Sequence, residues 1–209
     1  TSSFDEKKRK LSKWNHTKNE TLLPRLVASF GIASALAHLH KQGILYRDLK
    51  PANCGFDVRD DIKIFDFGLA KELGVRCDEE YHDNDDNHNP CRNNDTVFQL
   101  TAMCGTPRYM APEVALGHPY NESCDVYSFA MMCWQILRLR KPYGAKCTFD
   151  LLQKVWNDES VRPELPAYWP EALRSVLKRA MSADLTKRPR MREIETVLKR
   201  EFEVLSTQT

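Results

Sequence analysis

Arg47, Asp48, Lys50 and Asn53 fall within seven positions, beside Pro51 and just ahead of an apolar run. Two cations, a carboxylate and an amide so close together could form an ordinary surface turn. They could also form part of a phosphoryl-transfer site, which asks for little covalent chemistry from the protein. Such a site needs oxygen ligands for a cation on the triphosphate, a positive charge near the moving group and a base that orients the attacking hydroxyl. Mg²⁺ prefers oxygen and keeps several waters, so one or two protein oxygens per ion are enough. Asp48, Lys50, Asn53 and, further on, Asp66 supply that set in order. Gly68 frees the backbone after Asp66, so that a carboxylate can be aimed from a tight turn.

These residues need elements to hold them. Leu22, Leu26, Phe30, Ala33 and Ala37 recur at helical spacing, and the spacing predicts a helix from Leu22 to His40 that Gly43 stops. Residues 4–20 are polar and basic and read as a short helix and a loop. Cys54–Val58 and Ile62–Phe65 read as a hairpin across the turn Arg59-Asp60-Asp61, ending in Asp66-Phe67-Gly68. The stretch 74–101 is rich in Asn and Asp and reads as an exposed, mobile insert. Asp125–Leu139 is apolar on almost every side, as a central buried helix would be. Amphipathic helices follow near Phe149–Asn157, over Glu171–Met181, and from Pro189 to about Phe202. The expected fold is mostly α with one small β-hairpin.

Composition narrows the function classes. The chain has 209 residues, 42% of them hydrophobic and 29% charged, which suits one globular domain with a real core. A net charge of +2 gives no reason to expect a nucleic-acid partner. The longest apolar run, Val126–Leu137, is too short to span a bilayer, and the charged start TSSFDEKKRK does not resemble a signal peptide. No membrane partner is therefore expected. Seven cysteines without CxxC pairs point to reduced thiols, hence to the cytoplasm or nucleus.

Three motifs, in order, carry a family resemblance. Tyr46-Arg47-Asp48-Leu49-Lys50-Pro51-Ala52-Asn53 resembles the H-R-D-L-K-P-x-N catalytic loop of eukaryotic protein kinases. Asp66-Phe67-Gly68 is similar to their D-F-G, and Ala111-Pro112-Glu113 to their A-P-E. The resemblance covers roughly residues 22–203, and implies the large C-terminal lobe of a Ser/Thr kinase using ATP and Mg²⁺ on protein substrates. The small lobe is expected to be absent from the chain. The catalytic loop is then 46–53, the activation segment 66–113 with its polar insert at about 74–101, and the helical subdomain 114–203. The resemblance implies that Asp48 is the catalytic base and that Lys50 faces the γ-phosphate. It implies that Asn53 and Asp66 hold the metal and that Gly55 lies at the nucleotide site. Arg47 would pair with a phosphate on the activation segment, with Thr96 and Thr101 as candidate phosphosites. Thr106 would bridge Asp48 and Lys50, Glu113 would pair with Arg188, Asp125 would bond the catalytic-loop backbone, and Tyr46 would stack on Phe67. Lys50-Pro51 and Gly105-Thr106-Pro107 follow the Ser/Thr pattern, and DVYSFAMMCWQIL looks most like the tyrosine-kinase-like branch.

The chain also departs from the pattern. It contains no glycine-rich loop and no strand lysine of the V-A-I-K type, so by itself it is expected to be inactive or very weak. Tyr46 stands where the family has histidine. Gly55 stands where the family places a large apolar residue under the adenine. A second reading is a pseudokinase or scaffold that binds partners without turning over ATP. Cys77, His82, His88 and Cys91 could form a zinc site, though their spacing matches no standard one and a solvated insert is the default.

Overall fold

The computed structural model describes the backbone of residues 2–73 and 96–207, and the side chains of 22–73 and 96–207. The possible zinc ligands and most of the polar insert lie outside the described residues. The chain opens with a helix α1, Ser2–Lys41, that runs unbroken through Pro24. The expected loop before Leu22 is therefore helical. That stretch lacks apolar periodicity, but its Lys, Arg and Glu residues are good helix formers extending a helix that packing already nucleates. Gly43 ends the helix with a left-handed φ of 72°.

Four short strands follow: β1 Ile44–Leu45, β2 Cys54–Phe56, β3 Ile62–Ile64 and β4 Lys71–Glu72. β2 and β3 form the expected antiparallel hairpin, with Gly55 opposite Lys63. β1 and β4 make a second antiparallel pair, in the register Ile44 to Glu72 and Leu45 to Lys71. This pair was not foreseen, because two-residue strands show no alternation. It ties the chain just before residues 46–53 to the chain just after Asp66-Phe67-Gly68. The helical part comprises α2 Pro112–Leu116, α3 Ser123–Arg138, α4 Phe149–Asn157, α5 Glu171–Ala180 and α6 Met191–Ser206. Pro189 lies just outside α6, since Arg190 caps the helix and Met191 begins it.

α3 is the centre of the molecule, with every residue from Cys124 to Trp134 buried. α1 packs on α6, α3 and β3. The part of α1 from Leu22 to Lys41 is long and apolar enough, by composition, to cross a membrane. Arg25 and His38 interrupt it, so it shows no unbroken apolar run in the sequence. Its Leu26, Ile32, Ala33 and Leu36 are buried in the core, though only a third of the stretch is buried.

α1 and the hairpin meet at a glycine. A Cβ on Gly31 would stand 2.3 Å from the Cγ2 of Ile62. In an isolated helix Gly→Ala stabilises by about 1 kcal/mol. Here the new methyl meets a stiff β-branched side chain, and overpacking of this kind costs about 1–3 kcal/mol. Gly31→Ala is therefore expected to lower the urea midpoint, and adding Ile62→Ala should recover part of that loss. A midpoint raised by Gly31→Ala alone would show that helix and hairpin are not in contact there.

Candidate active site

The catalytic-loop candidate sits on a strained backbone that one buried residue holds. Arg47 has φ 72°, a left-handed conformation that non-glycine residues seldom adopt. The N–H groups of Tyr46 and Arg47 donate to Oδ2 and Oδ1 of Asp125, at 2.8 and 2.7 Å. Asp125 is fully buried near the start of α3, and His40 Nε2 lies 3.0 Å from its Oδ2. His40 was not singled out from the sequence; it lies 85 positions from Asp125, and no local pattern marks the contact.

Asp48 is buried and its carboxylate accepts from three donors. Lys50 Nζ donates to Oδ2 at 2.6 Å, Asn53 Nδ2 reaches the same oxygen at 3.2 Å, and the Thr106 hydroxyl donates to Oδ1 at 2.6 Å. Thr106 thus holds the Asp48 oxygen that Lys50 leaves free, and the expected bridge to Lys50 is not made by a direct hydrogen bond. Gly105 makes that approach feasible. A Cβ there would lie 2.3 Å from the carbonyl oxygen of Arg47, and its φ is +104°. Only glycine fits both the space and the dihedral.

Asn53 closes the short 3₁₀ turn Pro51–Asn53 and is buried. Its amide donates to the carbonyl of Asp48 at 2.9 Å as well as to the carboxylate, which leaves the amide oxygen for a cation. The Asn53 carbonyl accepts from Phe65 N at 3.0 Å, so Asp66 follows directly on a residue bonded to Asn53. Asp66 has φ 64°, is exposed, and turns Oδ1 toward its own loop, 3.3 Å from Gly68 N. A carboxylate and an amide oxygen from adjoining turns suit a hard cation that keeps most of its waters. Among the described residues no three His, Cys, Asp or Glu side chains cluster as a metal cage, so a more demanding metal has no site there.

Tyr46 donates its hydroxyl to the Phe65 carbonyl at 2.6 Å and meets the Phe67 ring edge-on at 5.5 Å between centroids. Burial pushes its phenol far above the ordinary range, so it stays neutral and works as a strut. Gly55 faces Phe65: a Cβ there would approach the ring at 3.1 Å. The half-exposed Phe65 ring thus covers the face that a large side chain at 55 would have formed. Cys54, between them, has its thiol pushed up to about 12 by burial, which makes it a poor nucleophile at neutral pH.

Arg47 extends its guanidinium to the Leu69 carbonyl at 2.6 Å and to the Tyr120 hydroxyl at 3.4 Å. Tyr120 in turn donates to the Thr101 carbonyl at 2.9 Å. Thr101 therefore lies beside Arg47, with one phenol between them. Thr96 sits further back, its carbonyl accepting from Asn121 Nδ2 at 3.2 Å. Phe98 pairs with Tyr120 as an antiparallel bridge, so the end of the expected mobile insert, 96–101, is bound to the helical part. Tyr120 was also missed from the sequence, where it is one aromatic among many.

Glu113 and Arg188 form a buried bidentate pair, with Nη1 to Oε1 at 2.6 Å and Nη2 to Oε2 at 2.8 Å. Arg188 spends two more donors on the carbonyls of Ser182 and Ser123, at 2.8 and 2.9 Å, and its guanidinium lies 5.1 Å from the Tyr127 ring centre. This pair clamps the first turn of α2 to the stretch before α6.

The protein kinase domain family matches residues 9–202. The chain is 31% identical over 176 residues to the serine/threonine-protein kinase YPK3 of Saccharomyces cerevisiae, covering 83% of this chain and 31% of that protein. It is 32% identical over 182 residues to the dual specificity protein kinase shkD of Dictyostelium discoideum, covering 86% of this chain and 22% of the relative. A probable LIM domain-containing serine/threonine-protein kinase of the same organism is 32% identical over 175 residues, with 84% and 23% covered. The chain spans about a third or less of the length of these relatives.

Removing one partner of a buried ion pair leaves an uncompensated charge and costs about 3–5 kcal/mol. Glu113→Ala is expected to destabilise the chain by that amount in urea unfolding. A loss below about 1 kcal/mol, the range of exposed pairs, would mean that the guanidinium is hydrated.

Proposed function

This chain belongs to the protein kinase family, and we propose that it transfers the γ-phosphoryl group of ATP to Ser and Thr hydroxyls of proteins. The observation that carries this reading is the Asp48 carboxylate, held by Lys50 and Asn53 on one side and Thr106 on the other. A substrate hydroxyl that reaches the lone pair of Asp48 left open by these three donors meets a carboxyl group already fixed in direction. Asp48 orients that hydroxyl and accepts its proton as the phosphorus–oxygen bond forms. Lys50, 2.6 Å from the same carboxylate, places a positive charge where the transferred group carries its negative oxygens. Asn53 and Asp66 would hold Mg²⁺, which when bound neutralises charge on the triphosphate. Thr106 on Asp48, with Lys50-Pro51 beside it, supports Ser/Thr as the acceptor class.

The chain works, in this reading, as the large lobe of the kinase. Its 209 residues include no glycine-rich loop and no strand lysine. The half-exposed rings of Phe65 and Phe67 flank Asp66 and offer an apolar face that a nucleotide-covering lobe would bury. Thr101 is the better candidate phosphosite, since a phosphate on it could displace the Tyr120 hydroxyl from Arg47. Thr96 is the weaker one. Reduced cysteines favour a cytoplasmic protein, and the five described cysteines are free thiols. A scaffold without turnover has no need of the Asp48, Asn53 and Asp66 set.

Activity is tested by transfer from Mg-ATP to a Ser peptide, comparing the natural protein that carries this chain with the 209-residue chain alone. The natural protein should transfer phosphate, and Asp48→Asn should lower kcat by about 10²–10⁴-fold, the range for loss of a general base. The chain alone should show little or no turnover. Transfer that is indifferent to Asp48→Asn would remove the assignment.

A further inference from the structure

The loop joining α3 to α4, residues 139–148, and the end of α3 carry a concentrated positive charge. Arg138, Arg140, Lys141 and Lys146 fall between 138 and 146, with no Asp or Glu among them. Arg138 is in use, donating to the Tyr168 hydroxyl at 2.9 Å. Arg140 and Lys141 are exposed and have no ion-pair partner among the described residues. Both line a cavity of about 460 Å³ whose other walls are Trp134, Tyr143, Gly144 and Ala145. The larger cavity beside α6, about 550 Å³, differs in kind. An acid, Glu193, stands in its wall, and three of its five cations, Arg179, Lys187 and Arg188, already hold Glu193, Asp184 and Glu113.

The smaller cavity is built rather than incidental. Tyr143 and Gly144 take successive left-handed conformations, φ 63° and 78°, which fold the loop back on itself. Arg108 fixes that fold by donating to the carbonyls of Pro142 and of Gly144, the latter at 2.7 Å. Arg108 also sets the distance to the chemistry. It lies two residues beyond Thr106, whose hydroxyl is on Asp48. Two extended residues span at most about 7 Å, and the arginine side chain adds a similar reach. The cavity therefore lies within about four or five residues of extended peptide from the acceptor hydroxyl.

We propose that this cavity receives an Asp or Glu side chain of the protein substrate, close in sequence to the phosphorylated Ser or Thr, and that Arg140 and Lys141 select for it. The proposal rests on the kinase reading above. A carboxylate matches the planar fork of Arg140 with two parallel hydrogen bonds, and Lys141 adds a point charge beside it. The Trp134 and Tyr143 walls offer apolar contact to the side-chain stem. A substrate with Lys or Arg at the same place would meet two unneutralised like charges. Selection of this kind acts on encounter and binding, so it appears in KM and in salt dependence rather than in kcat.

The test uses the natural protein and Ala-based peptides with one Ser, carrying Asp, Ala or Lys at each position within five residues of it. At one or two neighbouring positions KM should rise about fivefold from Asp to Ala and again from Ala to Lys, with kcat unchanged and the spread shrinking at high salt. Arg140→Glu with Lys141→Glu should reverse that order. Lys199→Glu with Arg200→Glu, an equal charge change on the exposed face of α6, should keep it. Equal KM for Asp and Lys peptides at every position overturns the proposal. If even the Ala peptides are not phosphorylated, the kinase reading fails, and the cavity is judged by binding alone. Fluorescence polarisation with the 209-residue chain should then show the Asp peptide bound at least fivefold more tightly than the Lys peptide, a preference lost on reversal of 140 and 141. Equal binding of the two peptides overturns it by that route as well.

Discussion

A carboxyl group with no solvent exposure, Asp125, holds the site together. Burying such a group is costly unless its oxygens are met by donors. Here they are met by the N–H groups of Tyr46 and Arg47 and by His40. The same bonds that satisfy Asp125 keep Arg47 in a left-handed conformation, so one set of hydrogen bonds offsets both the backbone strain and the burial of the carboxyl. Because Asp125 opens the most buried helix of the chain, the loop that carries Asp48 inherits the rigidity of the core.

From that anchor the rest of the cleft follows. Asp48 projects beyond Arg47 and is steadied by Lys50 and Asn53 from its own loop. Asn53 reaches across to Phe65 and so fixes the start of the turn that carries Asp66. The pairing of β1 with β4 closes the turn on its other side. On the other side, Gly105 lets the chain before α2 lie directly on the Arg47 carbonyl, and Thr106 adds a third donor to Asp48. The contacts of Asp125 with the loop and of Thr106 with Asp48 join segments distant in sequence, so the complete site exists only once the core has formed.

What could be read beforehand divides along that line. The contiguous cluster at 46–53, the hairpin and the amphipathic helices were legible, because spacing and periodicity are local properties. The buried pair of Glu113 with Arg188 and the seat of Asp125 were expected only through the family resemblance, since neither can be seen from spacing. His40, Tyr120 and Arg108 were not anticipated. Each acts through a contact between 34 and 85 positions away, and each looks like an ordinary surface or core residue in the sequence. The continuation of α1 back to Ser2 was missed for a different reason, because a polar helix extending a packed one has no apolar stripe to announce it.

The central claim, that Asp125 brings the oxygens of Asp48, Asn53 and Asp66 to one place, is tested most directly by paramagnetic broadening with Mn²⁺ in the 209-residue chain. Backbone amides of 48–54 and of 66–68 should broaden together as Mn²⁺ is added, and Asp125→Ala should uncouple them while the far helices α5 and α6 keep their signals. Broadening of the two segments that persists unchanged in Asp125→Ala, or that never coincides in the unsubstituted chain, would contradict the account.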